Sequence, residues 1–354
     1  MESESGERKK VEETLAGMVQ DQLGVRVTRV EPLAGQLGLR RFLRVHTGGR
    51  PQTLVARIEA PEDPAGRPPG AAPEPALEPL RTFLADLGLP VPARLGGDPA
   101  RGIDLLEDLG GETLEDAVAR CDGPARVALY RRVLAWLPVL QGAAPPAYPL
   151  PAFGRRLDRT LIRYKADLFA RHSLPRALGR PPTPAEHAAL RRGFERIADA
   201  VEEAPARLAH RDLQSRNVLV RGPDHPEPRM IDVQGAFLAP PEYDAVALLR
   251  DSYVELPEDE VADHLRWLGP RLPDAPHPGD LGRRFDLLTL ARKAKDHARF
   301  VYAAGARGEG DWLTHLPATA RALHRAARRV APLHADLARA AELIDRLPET
   351  PCAP

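Results

Sequence analysis

The stretch "LAHRDLQSRNVLV" at residues 208–220 joins a run of polar side chains to a short aliphatic run. Within it, Asp212 and Asn217 stand five positions apart. A second segment, "MIDVQGA" at 230–236, closes another short apolar run with Asp232. Because a polar turn separates the two apolar runs, we expect a pair of neighbouring strands that brings the three polar side chains together.

Two carboxylates and an amide in this arrangement suit the transfer of a phosphoryl group. That reaction needs a carboxylate beside the attacking hydroxyl and oxygen ligands that hold Mg²⁺ against the nucleotide phosphates. Asp212 and Asn217 have the spacing of a kinase catalytic loop, where the Asp is the base and the Asn is a metal ligand. Asp232 is the expected second metal ligand. The alternative is a loop whose buried Asp side chains only accept hydrogen bonds from backbone amides.

Composition argues against several other classes of protein. The 354 residues include 43% hydrophobic residues, enough for a sizeable core. The 50 basic and 50 acidic side chains balance, so no overall charge favours nucleic acid or an anionic membrane. No apolar run reaches the length of a membrane span, and the charged N-terminus is not a secretory signal. Cys121 and Cys352 have no metal-ligand spacing. We therefore expect a cytoplasmic protein, and no obligate protein partner is evident.

The hydrophobic period divides the chain into a strand-rich part and a helical part. Apolar residues alternate within 25–60, which contains a "TGGRP" turn at 47–51, and two more short strands are predicted within 89–111. Beyond this part the period is mostly helical. Thr183 and Glu186 form a Thr-x-x-Glu capping box, which predicts the start of one helix.

These periods predict an α+β fold with two lobes. A small antiparallel sheet forms the N-terminal lobe, and helices form most of the larger C-terminal lobe. The expected divisions are a disordered tail at 1–10, the nucleotide-binding lobe at 11–108, the catalytic and substrate lobe at 109–346 and a tail at 347–354.

Six segments follow a pattern known from one superfamily of enzymes. They are "GQLGLRRFLRV" (35–45), "IEAPED" (58–63), "LLEDLGGETL" (105–114), "HRDLQSRNVLV" (210–220), "IDVQGAFLAPPEYDAVALLRDSYVELPEDEV" (231–261) and "FDLLTLARKAK" (285–295). The chain resembles the aminoglycoside phosphotransferase and choline kinase superfamily, whose fold is protein-kinase-like. Within it, the segments are most similar to the bacterial kinases of peptidoglycan recycling. Those enzymes phosphorylate N-acetylmuramate and N-acetylglucosamine at the anomeric hydroxyl.

The resemblance implies an ATP-dependent kinase that needs Mg²⁺ and acts on a small sugar. It makes Asp212 the catalytic base and gives the role of Mg²⁺ ligand to Asn217 and Asp232. It also implies a structural role for Asp244, as the acceptor of hydrogen bonds from the catalytic-loop backbone, with a contact to the substrate as the alternative. The candidates for nucleotide contacts are Gly35, Gly38, Arg40, Arg57 and the backbone from Glu107 to Leu109; those for acceptor contacts are Gln234, Asp251, Arg292 and Lys295.

The chain departs from the superfamily at the strand lysine that contacts phosphates. Its segment reads "LVARIEA", in which Arg57 is the only base. Strict alternation along this strand favours a solvent-exposed Arg57, and an arginine of the preceding strand, such as Arg40, is then the alternative. Arg292 and Lys295 lie one helical turn apart and suit a lactyl carboxylate or a phosphate. They also suit ordinary surface ion pairs with Asp286 or Asp296.

Other acceptors remain open. An aminoglycoside is polycationic and calls for a strongly acidic site, whereas the C-terminal helices mix acids and arginines. Choline calls for an aromatic cage, but Trp136, Trp267 and Trp312 are far apart in sequence. A pseudokinase that binds nucleotide without catalysis is compatible with the missing strand lysine. The presence of all three polar residues of the two motifs argues against it.

Overall fold

The computed structural model describes residues 2–33, 40–60, 72–222, 226–306, 308 and 310–349. Within these ranges the chain forms a five-stranded antiparallel sheet followed by a mainly helical region. The predicted α+β architecture with two lobes is therefore confirmed.

The N-terminal lobe is a sheet with the strand order β1-β2-β3-β5-β4. Its strands are β1 (Val27–Pro32), β2 (Arg41–Thr47), β3 (Thr53–Ile58), β4 (Arg94–Asp98) and β5 (Ile103–Glu107). The predicted turn at 47–51 joins β2 to β3, and Thr47 N donates to Gln52 O across it at 2.9 Å. Helix α2 (Leu80–Asp86) begins directly after Pro79, which cannot donate a backbone hydrogen bond inside a helix.

Helix α1 (Glu2–Leu23) covers one face of this sheet, and the expectation of a disordered tail at 1–10 is wrong. The early turns are rich in Glu, Lys and Arg, which are good helix formers. Arg8 and Glu12 form an i,i+4 ion pair at 2.9 Å that supports this part of the helix. Further along, Leu15, Met18 and Val19 share one buried face and pack on the sheet.

Arg57 is only 3% exposed, so the expectation that it faces solvent is wrong. Strand β3 lies in the middle of the sheet, between β2 and β5. Leu54 and Ala56 pack toward α1, whereas Arg57 points to the opposite face. There its guanidinium forms ion pairs with Glu59 and with Asp104, the latter at 3.2 Å.

The C-terminal lobe is built from helices and two short antiparallel ribbons. Its helices are α3 (Leu114–Val118), α4 (Gly123–Leu134), α5 (Trp136–Gly142), α6 (Arg159–His172), α7 (Leu174–Leu178), α8 (Pro184–Glu203), α9 (Tyr243–Leu249), α10 (Glu258–Leu268), α11 (Pro278–Ala306), α12 (Leu316–Val330) and α13 (Ala335–Ile344). Helix α8 begins at the predicted capping box, in which Thr183 and Glu186 bond reciprocally. Every helix in the described ranges is too short or too polar to span a bilayer.

The two ribbons place both sequence motifs at one site. Strand β6 (Arg207–Ala209) pairs with β9 (Phe237–Ala239), and β7 (Val218–Arg221) pairs with β8 (Glu227–Met230). The loop that carries Asp212 therefore runs between β6 and β7. Asp232 lies between β8 and β9, on the same side of the two ribbons. The segments after residue 349 and around residues 35–38 lie outside the described residues.

Candidate active site

Asp212 is the most accessible acid of the catalytic loop, with 40% of its side chain exposed. Its Oδ1 accepts a hydrogen bond from the guanidinium of Arg292, and its Oδ2 lies 3.4 Å from the side-chain nitrogen of Asn217. Burial of the surroundings acts to raise the pKa of Asp212, but the charges of Arg292 and Lys295 outweigh it and lower the pKa. The carboxylate is therefore ionised at neutral pH, as a proton acceptor must be.

Asn217 and Asp232, the predicted metal ligands, differ in how they are held. Asn217 is fully buried, and its Nδ2 donates to the carbonyl of Asp212 at 2.8 Å, which fixes the orientation of the amide. Asp232 has a left-handed backbone (φ 61°) and a side chain that is partly exposed. Its Oδ1 accepts from Arg40 at 3.3 Å and from Gln234 at 2.6 Å.

The ligand set of Asn217 and Asp232 fits Mg²⁺. One amide oxygen and one carboxylate suit a hard cation that takes its other oxygens from phosphates and water. The described residues contain no group of three or more His, Cys, Asp or Glu side chains arranged to hold a metal.

Two buried carboxylates hold the catalytic loop from below. Asp244 of α9 accepts from the backbone N–H groups of His210 at 2.7 Å and Arg211 at 3.0 Å, so the structural role predicted for it is confirmed. Asp251 accepts from the N–H groups of Ser215 at 2.7 Å and Tyr253 at 3.2 Å. Asp251 was expected to contact the acceptor, but it is 5% exposed, and its carboxylate accepts from these two loop amides.

Helix α11 supplies the cations next to Asp212. Arg292 is 1% exposed and bonds the loop, and its Nε lies 3.8 Å from Asp296, so the alternative ion pair with Asp296 exists but is buried and not at the surface. Lys295 pairs with Asp296 at 3.1 Å and stays partly exposed. Burial, together with the nearby Arg292 charge, lowers the pKa of Lys295 to about 8 despite Asp296. Asp286, the other acid considered, pairs with Arg329 at 3.4 Å.

Lys165 on α6 is a further cation of this region that the sequence did not single out. It is 5% exposed, and its Nζ donates to the hydroxyl of Tyr243 at 3.1 Å. Burial and the charge of Arg292 lower the pKa of Lys165 to about 7. Only its position on α6, which packs along α11, brings it here, and no spacing in the sequence connects the two helices.

On the nucleotide side, Arg40 reaches across the cleft and Arg57 does not. The guanidinium of Arg40 contacts Glu59 at 3.0 Å, Glu74, and Asp232 of the other lobe. Arg57 is enclosed within the sheet by Glu59 and an acid of β5. Arg40 is therefore the better candidate for the missing strand lysine. Gly35 and Gly38, the predicted phosphate-loop glycines, lie outside the described residues.

The predicted hinge follows β5. The N–H of Glu107 donates to Ala93 O at 2.8 Å, and its carboxylate pairs with Arg221 at 2.9 Å. These bonds involve the N–H and the carboxylate of Glu107, and the backbone from Glu107 to the buried Leu109 stays a prediction for adenine contacts. Arg44 pairs with the carboxylate of residue 108 at 2.7 Å and so supports the hinge and not the phosphates.

Gln234 and Glu74 meet beside the metal-ligand candidate. Gln234 was expected to contact the acceptor, but its Nε2 donates to Asp232 at 2.6 Å and to Glu74 at 3.3 Å. Its Oε1 is buried and has no hydrogen-bond partner within the described part of the chain. Glu74 was not predicted, because it follows a Pro/Gly-rich loop that carries no recognisable motif.

An aromatic cluster forms beside the catalytic loop from residues that are distant in sequence. Phe300 and Trp312 stack at 5.7 Å between ring centroids, and Tyr253 and His315 meet edge to face at 4.8 Å. The guanidinium of Arg216 lies 3.8 Å from the ring centroid of Tyr253. The cluster contains one of the three tryptophans, Trp312, and it already faces the cation Arg216.

Comparison with known proteins decides the family. Residues 29–281 match the phosphotransferase enzyme family. The chain belongs to this family. Two relatives of this phosphotransferase are each named N-acetylmuramate/N-acetylglucosamine kinase. The protein from Pseudomonas putida is 31% identical over 189 residues, which are 53% of this chain and 51% of that protein. The protein from Neisseria meningitidis serogroup B is 29% identical over 255 residues, 69% of this chain and 74% of that protein. The match thus spans about half the length of the first relative.

Solved structures similar to this phosphotransferase include two kinases. Choline kinase LicA from Streptococcus pneumoniae has a TM-score of 0.60 and 16% identity, and the match covers 89% of this chain and 99% of that chain. The GDP complex of aminoglycoside 2'-phosphotransferase-IIIa has a TM-score of 0.57 and 17% identity, with 88% and 97% covered. At this identity the likeness confirms the protein-kinase-like fold alone.

Proposed function

We propose that this phosphotransferase transfers the terminal phosphoryl group of ATP to the anomeric hydroxyl of an N-acetylated amino sugar. The observation that carries the proposal is the Asp212 carboxylate, which is exposed, ionised and held by Arg292 next to Asn217 and close to the strand end that carries Asp232. The sugar assignment is supported by two relatives that are named N-acetylmuramate/N-acetylglucosamine kinase.

In the proposed reaction, Asp212 orients the acceptor hydroxyl and accepts its proton. The acceptor oxygen forms a bond to the terminal phosphorus as the bond between that phosphorus and the bridging oxygen of ADP breaks. ADP leaves with the electron pair of the broken bond. Asn217 and Asp232 would hold Mg²⁺, which neutralises phosphate charge when it is bound. Arg292 keeps the base in one orientation throughout.

The cations near Asp212 favour an acceptor that carries a carboxylate. Lys295, Lys165 and Arg292 converge on this region, and the pKa values of both lysines are lowered by burial and by neighbouring cations. An anionic group on the acceptor offsets the repulsion between these cations. N-acetylmuramate, with its lactyl carboxylate, therefore fits better than a neutral sugar. A polycationic aminoglycoside is disfavoured here because it adds positive charge.

The aromatic cluster does not favour choline. Arg216 already lies over the face of Tyr253 at 3.8 Å and is held by Glu115 at 2.6 Å. A quaternary ammonium group would have to displace this cation from the ring. The pseudokinase alternative is disfavoured because the base and both metal-ligand candidates are all present, with the base ionised.

A coupled ADP-release assay tests the proposal. Mg·ATP is supplied with N-acetylmuramate, N-acetylglucosamine, kanamycin or choline, and Asp212→Asn is compared with the matched surface variant Asp345→Asn. We expect turnover with an N-acetylated sugar that falls about 10²- to 10⁴-fold in Asp212→Asn and is unchanged in the control. Turnover with kanamycin or choline alone would refute the sugar assignment. Tight Mg·ATP binding without turnover on any acceptor would favour the pseudokinase.

A further inference from the structure

The carboxylate of Glu74 lies among donors that come from both lobes. Arg40 donates to its Oε2, Arg211 donates to its Oε1 at 3.1 Å, and Gln234 donates to its Oε2 at 3.3 Å. We call the donor set of Arg40, Arg211 and Gln234 the arginine–glutamine site. Two guanidinium groups and an amide N–H are the donors that proteins use for planar carboxylates and for phosphoryl groups.

The arginine–glutamine site adjoins the metal-ligand candidate. The same Gln234 nitrogen that bonds Glu74 lies 2.6 Å from Oδ1 of Asp232, and Arg40 contacts the same oxygen. A phosphoryl group that shares a cation with Asp232 must lie beside the Asp232 carboxylate. The anion that the site holds in the structure is therefore next to the place where the terminal phosphoryl group of a nucleotide would lie.

The backbone at Gly235 lies close to Glu74 and Arg211. A Cβ atom at Gly235 would lie 2.8 Å from Oε1 of Glu74, closer than Cβ atoms approach, and 3.1 Å from Nη1 of Arg211, so the ends of these two side chains would have to shift. The ion pair between Glu74 and Arg211 thus rests directly on the backbone of the segment that follows Asp232.

Arg211 adopts a backbone conformation that an arginine rarely takes. Its φ is +80°, in the left-handed region that favours glycine. The conformation is held on both sides, since its N–H donates to Asp244 at 3.0 Å and its carbonyl accepts from Arg292 at 2.9 Å. Strain of this kind persists where the surrounding structure enforces it, and it is common at functional sites. The presence of an arginine and not a glycine at this position therefore indicates a role for the Arg211 side chain.

We propose that the arginine–glutamine site binds the terminal phosphoryl group of ATP in exchange for the Glu74 carboxylate. This inference rests on the proposed function, because it needs ATP as the donor. A terminal phosphoryl group carries more negative charge and more acceptor oxygens than a carboxylate, so it satisfies two guanidinium groups better. Glu74 is an ionised competitor, because the Arg40 charge outweighs burial and lowers its pKa. If Glu74 stayed in place beside Asp232 and a bound phosphoryl group, three anions would repel one another. This repulsion favours the exchange.

Binding of two nucleotides tests the exchange by calorimetry on the full chain. One is Mg·ADP, which lacks the terminal phosphoryl group, and the other is the non-hydrolysable ATP analogue AMP-PNP with Mg²⁺. In Glu74→Gln we expect AMP-PNP to bind about threefold or more tightly, since the competing charge is gone, and ADP affinity to stay within about twofold. Glu78→Gln is the matched control, because Glu78 pairs with Arg81 outside the site.

Arg211→Gly is the second variant of this test, and it keeps the native backbone conformation at residue 211. Glycine adopts a φ of +80° freely, so the thermal midpoint should stay equal or rise, whereas AMP-PNP affinity should fall about tenfold or more with ADP affinity unchanged. The exchange is overturned if Glu74→Gln weakens AMP-PNP binding, since Glu74 would then position the arginines, or if Arg211→Gly affects both nucleotides equally. If the wild-type chain binds neither nucleotide, the proposed function fails and the exchange fails with it.

Discussion

Arg292 donates one guanidinium N–H to Oδ1 of Asp212 and another to the carbonyl oxygen of Arg211, the latter at 2.9 Å. One buried side chain of α11 thus holds both the candidate base and the strained residue before it. A planar guanidinium reaches two acceptors in a fixed geometry, which neither lysine nor glutamine reproduces with the same charge.

Arg292→Gln should lower kcat and shift the acidic limb of the kcat–pH profile to higher pH. Arg292 is the strongest cause that lowers the pKa of Asp212, and burial opposes it. Without the cation, burial raises the pKa, so the base takes up a proton at a higher pH and activity is lost earlier on acidification. We expect kcat at neutral pH to fall about 10- to 100-fold. A kcat–pH profile measures both effects, with Arg283→Gln on the exposed face of α11 as the control. An unshifted acidic limb would contradict the role of Arg292.

Lys295 should make the binding of an acidic sugar dependent on pH. Burial lowers its pKa to about 8, with Arg292 adding to the effect and Asp296 opposing it. Its charge is present below that pH and is lost as the pH rises through it, so KM for N-acetylmuramate should rise on the alkaline side. The bound carboxylate stabilises the charged form and moves this change to a somewhat higher pH. KM for N-acetylglucosamine should not follow, and Lys295→Arg should flatten the profile. Equal pH dependence for both sugars would exclude a contact between Lys295 and the carboxylate.

Asp244→Asn should destabilise the catalytic loop. The carboxylate accepts two backbone N–H bonds, whereas an asparagine of the same shape presents one oxygen and turns an N–H₂ group toward the second donor. We expect a loss of about 1–3 kcal/mol in the free energy of unfolding and a lower kcat. Urea unfolding and kcat are measured beside Asp86→Asn, which is exposed at the end of α2. Wild-type values for both quantities would show that the loop does not depend on these bonds.

Lys165→Met should stabilise the fold at neutral pH. Burial lowers the pKa of Lys165 to about 7 in the folded protein, whereas a lysine in the unfolded chain keeps its proton up to about pH 10.4. Folding therefore releases this proton between these two pH values, and below pH 7 it buries the charged ammonium group. The lysine is therefore destabilising below pH 7, and this effect fades as the pH rises from 7 to above 10. We expect a gain of roughly 1 kcal/mol or more at pH 7 that shrinks at pH 9.5. Thermal unfolding at both pH values measures it, and a gain independent of pH would argue that methionine merely packs better.

Local patterns predicted the parts of the molecule that depend on neighbouring residues. Alternation located β2 and β3, and the capping box located the start of α8, because each feature is decided within one strand or one turn. The structural role of Asp244 was also confirmed. That role was implied by the family resemblance and not by spacing, since 34 residues separate Asp244 from His210.

Arguments from exposure and from sequence distance were less successful. Arg57 was expected at the surface because its strand alternates, but the carboxylates of Glu59 and Asp104 enclose its side chain. Trp312 and Tyr253 are 59 positions apart in the printed sequence, yet both lie next to Arg216. The N-terminal segment was expected to be disordered, whereas i,i+4 ion pairs support a helix there.

The sequence by itself determined the two-lobed architecture, the strands and helices, and the three polar residues at the centre of the site, because these follow from period and from short motifs. Only the tertiary structure decided which distant charges surround that centre. Glu74, Lys165 and Arg211 come there from a loop of the first lobe, from α6 and from the catalytic loop, and they join Arg292 of α11, which the family resemblance had already named. Chain folding brings these charges close enough for Coulomb interactions to shift protonation, as the effect of Arg292 on Lys165 shows.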